Sequence, residues 1–284
     1  MDDKTKGVLF MLFSSLSFAA MGATVKLADE FTVFQKMFAR NLVSFIIAYY
    51  FVKRASLPLF GAKKNIKWLL LRSFLGLAGV GLYFYSIDHL YLADSSMLNK
   101  IHPFFVALFA FLILKERLSK AQIPAMIIIF SAALLIIKPK FDLSIIPALA
   151  GFASAMFAGA AYVFVRLLGG KGEQPATIVF FFSLVSVIVT FPLALIDLQT
   201  AAPTQYIYLI ATGVFAAGGQ FGLTYAYKLS KAGEVAVYNY THIIFSAVIG
   251  YLIWNEIPDA YSLIGGIIII IVSLILYLFN KKHP

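Results

Sequence analysis

The sequence contains no cysteine among its 284 residues. This absence excludes a disulfide framework, a thiol nucleophile and a thiolate metal site, and we expect neither a bound metal nor a cofactor. Charged residues are also scarce, at 13%, whereas hydrophobic residues make up 61% of the chain. Soluble domains carry about a quarter charged residues, and a water-soluble fold could not hide this much apolar surface in one core. The composition therefore predicts a protein that crosses the membrane many times.

The few charges are mostly basic, with 23 Lys and Arg residues against 13 Asp and Glu residues. No nucleic-acid-binding motif accompanies the formal net charge of +10, so we expect no nucleic-acid partner. Most basic residues lie in one set of short loops, whereas loops such as "DHLYLAD" and "NEIPDA" on the opposite side are acidic. Because basic loops tend to stay in the cytoplasm, this bias predicts a multi-pass protein of the plasma membrane with both termini cytoplasmic.

Ten apolar segments are long enough, or nearly so, to cross the roughly 30 Å hydrocarbon layer as helices. They cover approximately residues 7–27, 34–52, 67–87, 95–114, 121–137, 145–168, 175–196, 205–227, 234–254 and 260–280. The first follows Lys4 and Lys6 in the pattern of a signal peptide, but the many later spans favour a retained helix. The predicted fold class is therefore all-α integral membrane, with ten transmembrane helices.

Polar residues in and beside the spans coincide when the chain is shifted by 140 positions against itself. Three such pairs are Asn99–Asn239, His102–His242 and Glu116–Glu256. The histidine pair carries most weight, because the chain has only four histidines. The shift predicts two five-helix repeats, residues 1–140 and 141–284. Because five is odd, the second repeat must cross the membrane in the opposite sense, as in many secondary transporters with inverted repeats.

The ends of the fourth and ninth spans carry a further pattern. In "AFLILKERLS" and "GYLIWNEIPD" a glutamate, Glu116 or Glu256, follows shortly after the last aliphatic residues. With ten spans arranged as five plus five, the whole chain resembles the drug/metabolite transporter superfamily, in its EamA-like branch. The resemblance implies a ten-helix bundle that exports or exchanges small metabolites, amino acids among them, and does not fix the substrate. It also implies that the protein is not an enzyme.

Charged side chains inside the predicted spans are candidate substrate contacts, because a charge at the centre of a spanning helix costs about 2.5–3.5 kcal/mol. Lys100 and Arg40 form the strongest pair, since both lie more than a turn inside their helices. Arg can bind a carboxylate through two parallel donors, while Lys supplies a compact charge. One alternative is that Lys100 reaches the lipid headgroups. Another is that Arg40 pairs with a carboxylate near a span end: Asp29, Glu30 or Asp94.

Several other residues are predicted to have structural roles. The basic residues Lys26, Lys36 and Arg166 are expected at the membrane interface. Glu116 and Glu256 are expected to orient or cap neighbouring backbone, or to pair with nearby lysines. Glycines recur at positions 76, 79 and 81 and at 218, 219 and 222. Because small residues let helices approach closely, these glycines predict tight helix packing rather than a nucleotide-binding loop.

His102 stands directly before Pro103, whose ring is expected to bend the helix. Asn99 lies three residues before His102, and Asn239 lies three residues before His242, so each pair shares a helix face. Histidine titrates near neutrality, which makes protons a candidate coupling ion. The alternative is that both histidines only hydrogen-bond across the bundle, as polar residues often do between membrane helices.

The two repeats differ in charge, because Lys100 corresponds to Tyr240 and Arg40 to Phe180. The second repeat therefore supplies aromatic and polar surface to the predicted cavity, including Tyr225, Tyr238 and Gln220. The complete set of predicted substrate-binding residues is Lys100, Arg40, His102, Asn99, Asn239, His242, Tyr225, Tyr238 and Gln220.

These features predict a secondary active transporter that works by alternating access in the lipid bilayer, as a monomer or a homodimer. Its expected substrate is an amino acid or a carboxylate-bearing organic anion. A nucleotide-linked or cationic drug-like substrate is the alternative within the same class. A channel and a membrane acyltransferase, the latter suggested by the spacing of His89 and Asp94, are alternatives from other classes.

Overall fold

The structure is a computed structural model that describes residues 3–115, 121–138, 143–196, 201–229 and 236–282. These residues contain α-helices and short 3-10 helices, and no β-strand is found among them. The α-helices are α1 (Asp3–Leu27), α2 (Val33–Arg54), α3 (Ile66–His89), α4 (Leu92–Asn99), α5 (His102–Leu114), α6 (Gln122–Ile137), α7 (Ile146–Gly170), α8 (Pro175–Ala194), α9 (Pro203–Leu229), α10 (Thr241–Trp254) and α11 (Ala260–Lys282). The predicted all-α class is therefore confirmed.

Seven stretches of the described residues are long and apolar enough to cross a membrane. They are Thr5–Leu27, Lys63–His89, Leu92–Leu114, Leu143–Gly170, Pro175–Ala194, Pro203–Leu223 and Ala260–Phe279. Three other predicted spans are weaker: α2 carries Lys36 and Arg40 in its first half, α6 has 16 residues, and α10 has 14. Length and hydropathy thus establish a membrane protein with seven clear spans, and the predicted count of ten is not confirmed.

The span Leu92–Leu114 is interrupted between α4 and α5, at Lys100 and Ile101. Pro103 lies in the first turn of α5, where its missing N–H leaves no helical hydrogen bond unmade. A 3-10 turn, Ala236–Tyr240, precedes α10 at the equivalent place. The bend predicted at Pro103 is thus a break in the helix just before the proline. Irregular backbone is tolerated inside a membrane only where protein surrounds it or where it lines a cavity.

The helices pack in matching pairs. α1 packs along α9 and α3 along α7, while α2 packs against α8 and α6 against α11. A shift of 140 positions converts α1 into α7 and α3 into α9, so the first two pairs are equivalent. Lys115 and Asn255, which are also equivalent, end α5 and α10 in the left-handed conformation, with φ of 56° and 55°. The packing therefore follows the period found in the sequence.

Glycines lie where these helices approach most closely. A Cβ on Gly79 of α3 would lie 3.2 Å from the backbone nitrogen of Ala158 in α7. A Cβ on Gly222 of α9 would lie 2.9 Å from the carbonyl oxygen of Phe10 in α1. Because any side chain at these positions would push the backbones apart, the glycines of α3 and α9 serve helix packing, as the sequence predicts.

We expect Gly159→Ala to destabilise the protein. The new Cβ would lie 2.5 Å from Cβ of Phe105 and 3.0 Å from the Phe105 carbonyl carbon, so α5 and α7 would have to separate. Overpacking of this kind costs about 1–3 kcal/mol and should lower the apparent Tm in detergent. Gly169→Ala, in the same helix, is the control because no neighbouring heavy atom lies within 4 Å of its Cβ. Equal Tm values for the two variants would contradict this account of the α5–α7 contact.

Candidate functional site

A cavity of about 450 Å³ lies beside the break between α4 and α5. Its polar wall consists of Arg40, Ser44, Arg72, Asn99, Lys100, His102, Ser183, Gln220, Asn239 and His242. Aromatic rings also line it: Phe18, Tyr83, Phe84, Tyr162, Phe182 and Tyr240. Seven of the nine residues predicted to bind substrate thus lie in one wall, and they come from helices of both halves of the chain.

Lys100 directly follows Asn99 and caps the C-terminal end of α4. Its side chain is buried, with 6% exposure, and its Nζ donates to Oδ1 of Asn239 over 2.9 Å. The amine therefore points into the protein, and the alternative in which Lys100 reaches the lipid headgroups does not describe this structure. Asn99, one residue earlier, donates from Nδ2 to Oγ of Ser154 over 3.1 Å. The break in the helix thus places the ammonium group of Lys100 beside the side-chain amide of Asn239, which belongs to the other half of the chain.

The two histidines of the cavity differ in their surroundings. Nδ1 of His102 donates to the carbonyl oxygen of Asn99 over 3.0 Å, and its ring packs against Tyr162 with centroids 5.4 Å apart. His242 is buried, with 3% exposure, and its Nδ1 has no hydrogen-bond partner among the described residues. The hydrogen bond from His102 to Asn99 spans the break between α4 and α5. This histidine therefore stabilises the break as well as lining the cavity.

Two arginines face the same aromatic ring. The guanidinium carbon of Arg72 lies 3.9 Å from the centroid of Phe182, and that of Arg40 lies 5.9 Å from it. Nη1 of Arg40 donates to Oδ1 of Asn41 over 2.8 Å, but its Nε has no hydrogen-bond partner in the described part of the chain. Nε and Nη1 of Arg72 likewise have none. Several buried guanidinium donors therefore lack a hydrogen-bond partner within the described protein.

Two of the three carboxylates offered as alternative partners of Arg40, Asp29 and Glu30, are engaged elsewhere, and the third, Asp94, does not line the cavity. Oδ1 of Asp29 accepts from Gln205 over 2.8 Å, and Oε2 of Glu30 accepts from the backbone N–H of Ala202 over 3.0 Å. No acidic residue is present among the described residues that line the cavity. The cavity thus contains three cationic side chains, Arg40, Arg72 and Lys100, without a carboxylate to compensate them. In a membrane such a site favours an anion, because uncompensated charge is costly there.

Tyr225 and Tyr238 do not line the cavity, so their assignment to it is corrected. Tyr225 is 41% exposed and stacks on Phe10 with ring centroids 5.3 Å apart. It follows the cavity residue Gln220 by five positions, which turns it about 140° around α9. Tyr238 is 38% exposed and adjoins Asn239 in a 3-10 turn, where successive side chains diverge by about 120°.

Two lysines expected at the interface are part of internal ion pairs. Lys36 is 1% exposed, and its Nζ lies 2.7 Å from Oδ1 of Asp88. Lys26 pairs with Glu256 and also donates to the carbonyl oxygen of Leu90 over 2.8 Å. Lys36 is therefore paired inside the protein with Asp88 at the end of α3, which compensates its charge.

Glu256 has the structural role that the sequence predicts. Besides pairing with Lys26, its Oε2 accepts from the backbone N–H of Leu92 over 2.8 Å. This bond satisfies an N–H at the start of α4 that has no partner within the helix. The equivalent Glu116 lies outside the described residues.

Arg72 is the charged residue of the cavity that the sequence analysis did not predict. It interrupts the apolar run "WLLLRSFLGLAGVG", and Gly76 and Gly79, which follow it by four and seven positions, line the cavity with it. That spacing places all three on one helix face. A charge on the same face as the packing glycines is the signal that could have identified it.

The cavity and the fold can be compared with known proteins. The model of the EamA-like transporter family matches residues 5–138 and again residues 145–278. The pseudopaline exporter CntI of Pseudomonas aeruginosa is 34% identical over 273 residues, which cover 95% of each chain. The riboflavin transporter of Vibrio cholerae is 25% identical over 274 residues, covering 94% of this chain and 91% of the relative. A crystal structure covering 98% of both chains matches with a TM-score of 0.69 at 14% identity, which supports the fold.

A bundle of membrane-spanning helices around a polar internal cavity defines the class of helical membrane transporters. Within that class, the chain belongs to the EamA-like transporter family of the drug/metabolite transporter superfamily. The chain is accordingly a transporter and not an enzyme. The acyltransferase alternative also lacks geometric support: His89 is exposed, with Nδ1 2.8 Å from the carbonyl oxygen of Tyr85, whereas Asp94 is buried.

We expect Lys36→Met to destabilise the protein by about 3–5 kcal/mol, because Asp88 would be left without its compensating charge. The double variant K36M/D88N removes both charges and should recover most of the lost stability. Apparent Tm values of the purified proteins in detergent test both statements. A double variant no more stable than K36M would contradict the assigned ion pair.

Proposed function

We propose that this protein is a secondary active transporter that moves an amino acid or a carboxylate-bearing organic anion by alternating access. The observation that carries the proposal is the charge of the cavity. Arg40, Arg72 and Lys100 line it, and no acidic residue is found among the described lining residues. An anionic group of the substrate would compensate these cations inside the membrane, where water cannot do so once the cavity closes.

The proposed architecture is ten spans in two five-helix repeats of opposite orientation. The family model matches the two halves separately, at residues 5–138 and 145–278. The equivalent helix pairs α1–α9 and α3–α7 and the equivalent left-handed ends at Lys115 and Asn255 support the duplication. On this proposal α2, α6 and α10 also cross the membrane, and the broken helices meet at the substrate site, as is typical of transporters with inverted repeats.

The proposed orientation puts both termini on the cytoplasmic side of the plasma membrane, because the basic loops tend to remain there. Contacts between loops agree with it. Glu173, between α7 and α8, accepts from the backbone N–H of Ala62 and from Nδ2 of Asn65, both before α3, over 2.8 and 2.7 Å. These two loops share the same side in the proposed topology. The loops holding Glu30 and Ala202, which also contact each other, share the opposite side.

The names of relatives agree with transport of small organic molecules. One relative is called a pseudopaline exporter and another a riboflavin transporter. Neither compound is assigned to this chain, because the names of the two relatives give different substrates and membership of the family does not determine the substrate. We infer that protons are a candidate coupling ion, since His102 and His242 both line the cavity.

We expect the double variant R40Q/K100Q to lose most transport. Saturable counterflow of labelled amino acids and organic acids into proteoliposomes measures it, and we expect kcat/KM to fall by at least about tenfold, as for loss of charged hydrogen bonds. K53Q/R54Q removes the same charge from the exposed end of α2 and should transport normally. Unchanged counterflow in R40Q/K100Q would overturn the anion proposal, and single-channel currents would favour a channel.

Cysteine labelling tests the inverted repeat directly, because the chain has no native cysteine. Lys64 and Thr204 are exposed and occupy equivalent positions, Lys64 just before α3 and Thr204 in the first turn of α9. We expect K64C to be protected from a membrane-impermeant maleimide in intact cells and T204C to react. Permeabilised cells, in which both should react, provide the control. Labelling of both positions from the same side would exclude opposite orientations of the repeats.

A further inference from the structure

Building on the proposed function, we infer that the substrate carries at least two carboxylates held at two separate cationic sites of the same cavity. Arg72 and Arg40 form one site around Phe182. Lys100 with Asn239 forms the other. Arg72 is then the residue that selects a substrate with a second carboxylate over one with a single carboxylate.

The arginine site has the donors needed for a planar anion. Both guanidinium groups lie against Phe182, and three of their buried nitrogens have no hydrogen-bond partner among the described residues: Nε of Arg40, and Nε and Nη1 of Arg72. An unsatisfied buried donor costs about 1–3 kcal/mol, and more when it is charged. Two guanidinium groups beside one ring also repel each other. A carboxylate that accepts from both removes each of these costs at once.

The lysine site is built differently. Nζ of Lys100 already donates to Oδ1 of Asn239 over 2.9 Å, and an ammonium group has three donors in all. Asn239 carries no charge, so it orients the ammonium without compensating it. A carboxylate at this site would complete the set of partners and supply the missing negative charge. Lys100 and Asn239 belong to different halves of the chain, so this carboxylate would contact both halves.

The size of the cavity supports a substrate larger than a simple amino acid. Its volume of about 450 Å³ falls in the range of roughly 300–1,000 Å³ typical of pockets for drug-sized ligands. Apolar and aromatic residues complete the lining around the cationic groups, among them Phe84, Val106, Tyr162 and Val179. A substrate with an apolar middle portion and carboxylates apart from each other fits this distribution of charge.

Charge balance distinguishes two carboxylates from one. The described lining holds three cations and no acid, so a single carboxylate would leave two cations uncompensated in the closed cavity. A dicarboxylate leaves only one, because each of its two carboxylates compensates one cation. Because the cost of charge rises as water is excluded, this difference is largest in the closed state through which every transport cycle must pass.

Three labelled probes of nearly equal shape test the inference: N-succinylphenylalanine with two carboxylates, its monoamide with one, and its diamide with none. Counterflow into proteoliposomes gives kcat/KM for each. We expect the wild-type protein to favour the dicarboxylate over the monoamide by about tenfold or more. In Arg72→Gln this preference should fall to about threefold or less, through loss of dicarboxylate transport with monoamide transport retained. Arg72→Lys, which keeps the charge, should recover part of the preference.

Arg54→Gln, at the exposed end of α2, is the matched control and should keep the full preference. Monoamide transport by Arg72→Gln shows that the variant is folded. If the wild-type protein transports dicarboxylate and monoamide equally well, or if Arg72→Gln keeps the preference, the two-carboxylate inference is overturned and the proposed function stands. If the diamide is transported as well as both anions, or if neither anion is transported or raises the Tm, the proposed function is overturned as well.

Discussion

The structure depends on how charge is compensated inside a bundle that water cannot fully reach. Lys36 with Asp88 and Lys26 with Glu256 show the first solution, in which a carboxylate lies beside each ammonium. Lys100 shows a second, in which the neutral amide of Asn239 is its hydrogen-bond acceptor among the described residues. Since a membrane makes uncompensated charge costly, the carboxylate of each of these ion pairs offsets the cost of its lysine's charge. The cavity cations have no carboxylate beside them among the described lining residues, so on the proposed function the substrate anion would compensate them.

The break between α4 and α5 makes this arrangement possible. A continuous helix would satisfy its backbone hydrogen bonds internally, and Lys100 would project from its side. The interruption places the lysine at the end of α4, with Asn99 and His102 joined across it by a hydrogen bond from Nδ1 to a carbonyl oxygen of 3.0 Å. The 3-10 turn before α10 brings Asn239 to the same point from the other half. Irregular backbone and buried charge therefore occur together, because both are tolerated inside a membrane where they line a polar cavity.

The sequence alone was sufficient for features that depend on composition or on spacing along one helix. The membrane class, the all-α fold and the placing of Arg40 and Lys100 near one cavity are of this kind. The sequence was not sufficient where the position of a side chain depends on the rotation of its helix or on a partner far away along the chain. Tyr225 is an aromatic residue of the correct helix on the wrong face. The pairing of Lys36 with Asp88 was not predicted, because the two residues lie 52 positions apart along the chain. Arg72 was not predicted to line the cavity, although its spacing from Gly76 places both residues on one helix face.

The helix framework of this chain is repeated after 140 positions, but the cationic residues of the cavity are not. The helix pairs, the left-handed ends of α5 and α10 and the Asn–His pairs recur at 140 positions, whereas the cavity cations do not: Phe180, Thr212 and Tyr240 stand at the positions equivalent to Arg40, Arg72 and Lys100. A symmetric framework suits a carrier that alternates between two similar arrangements, since equivalent contacts can be exchanged at similar free energy. A cation in both copies would instead place six positive charges around one cavity. Keeping them in one copy would give the proposed anionic substrate a single orientation while the framework stays symmetric.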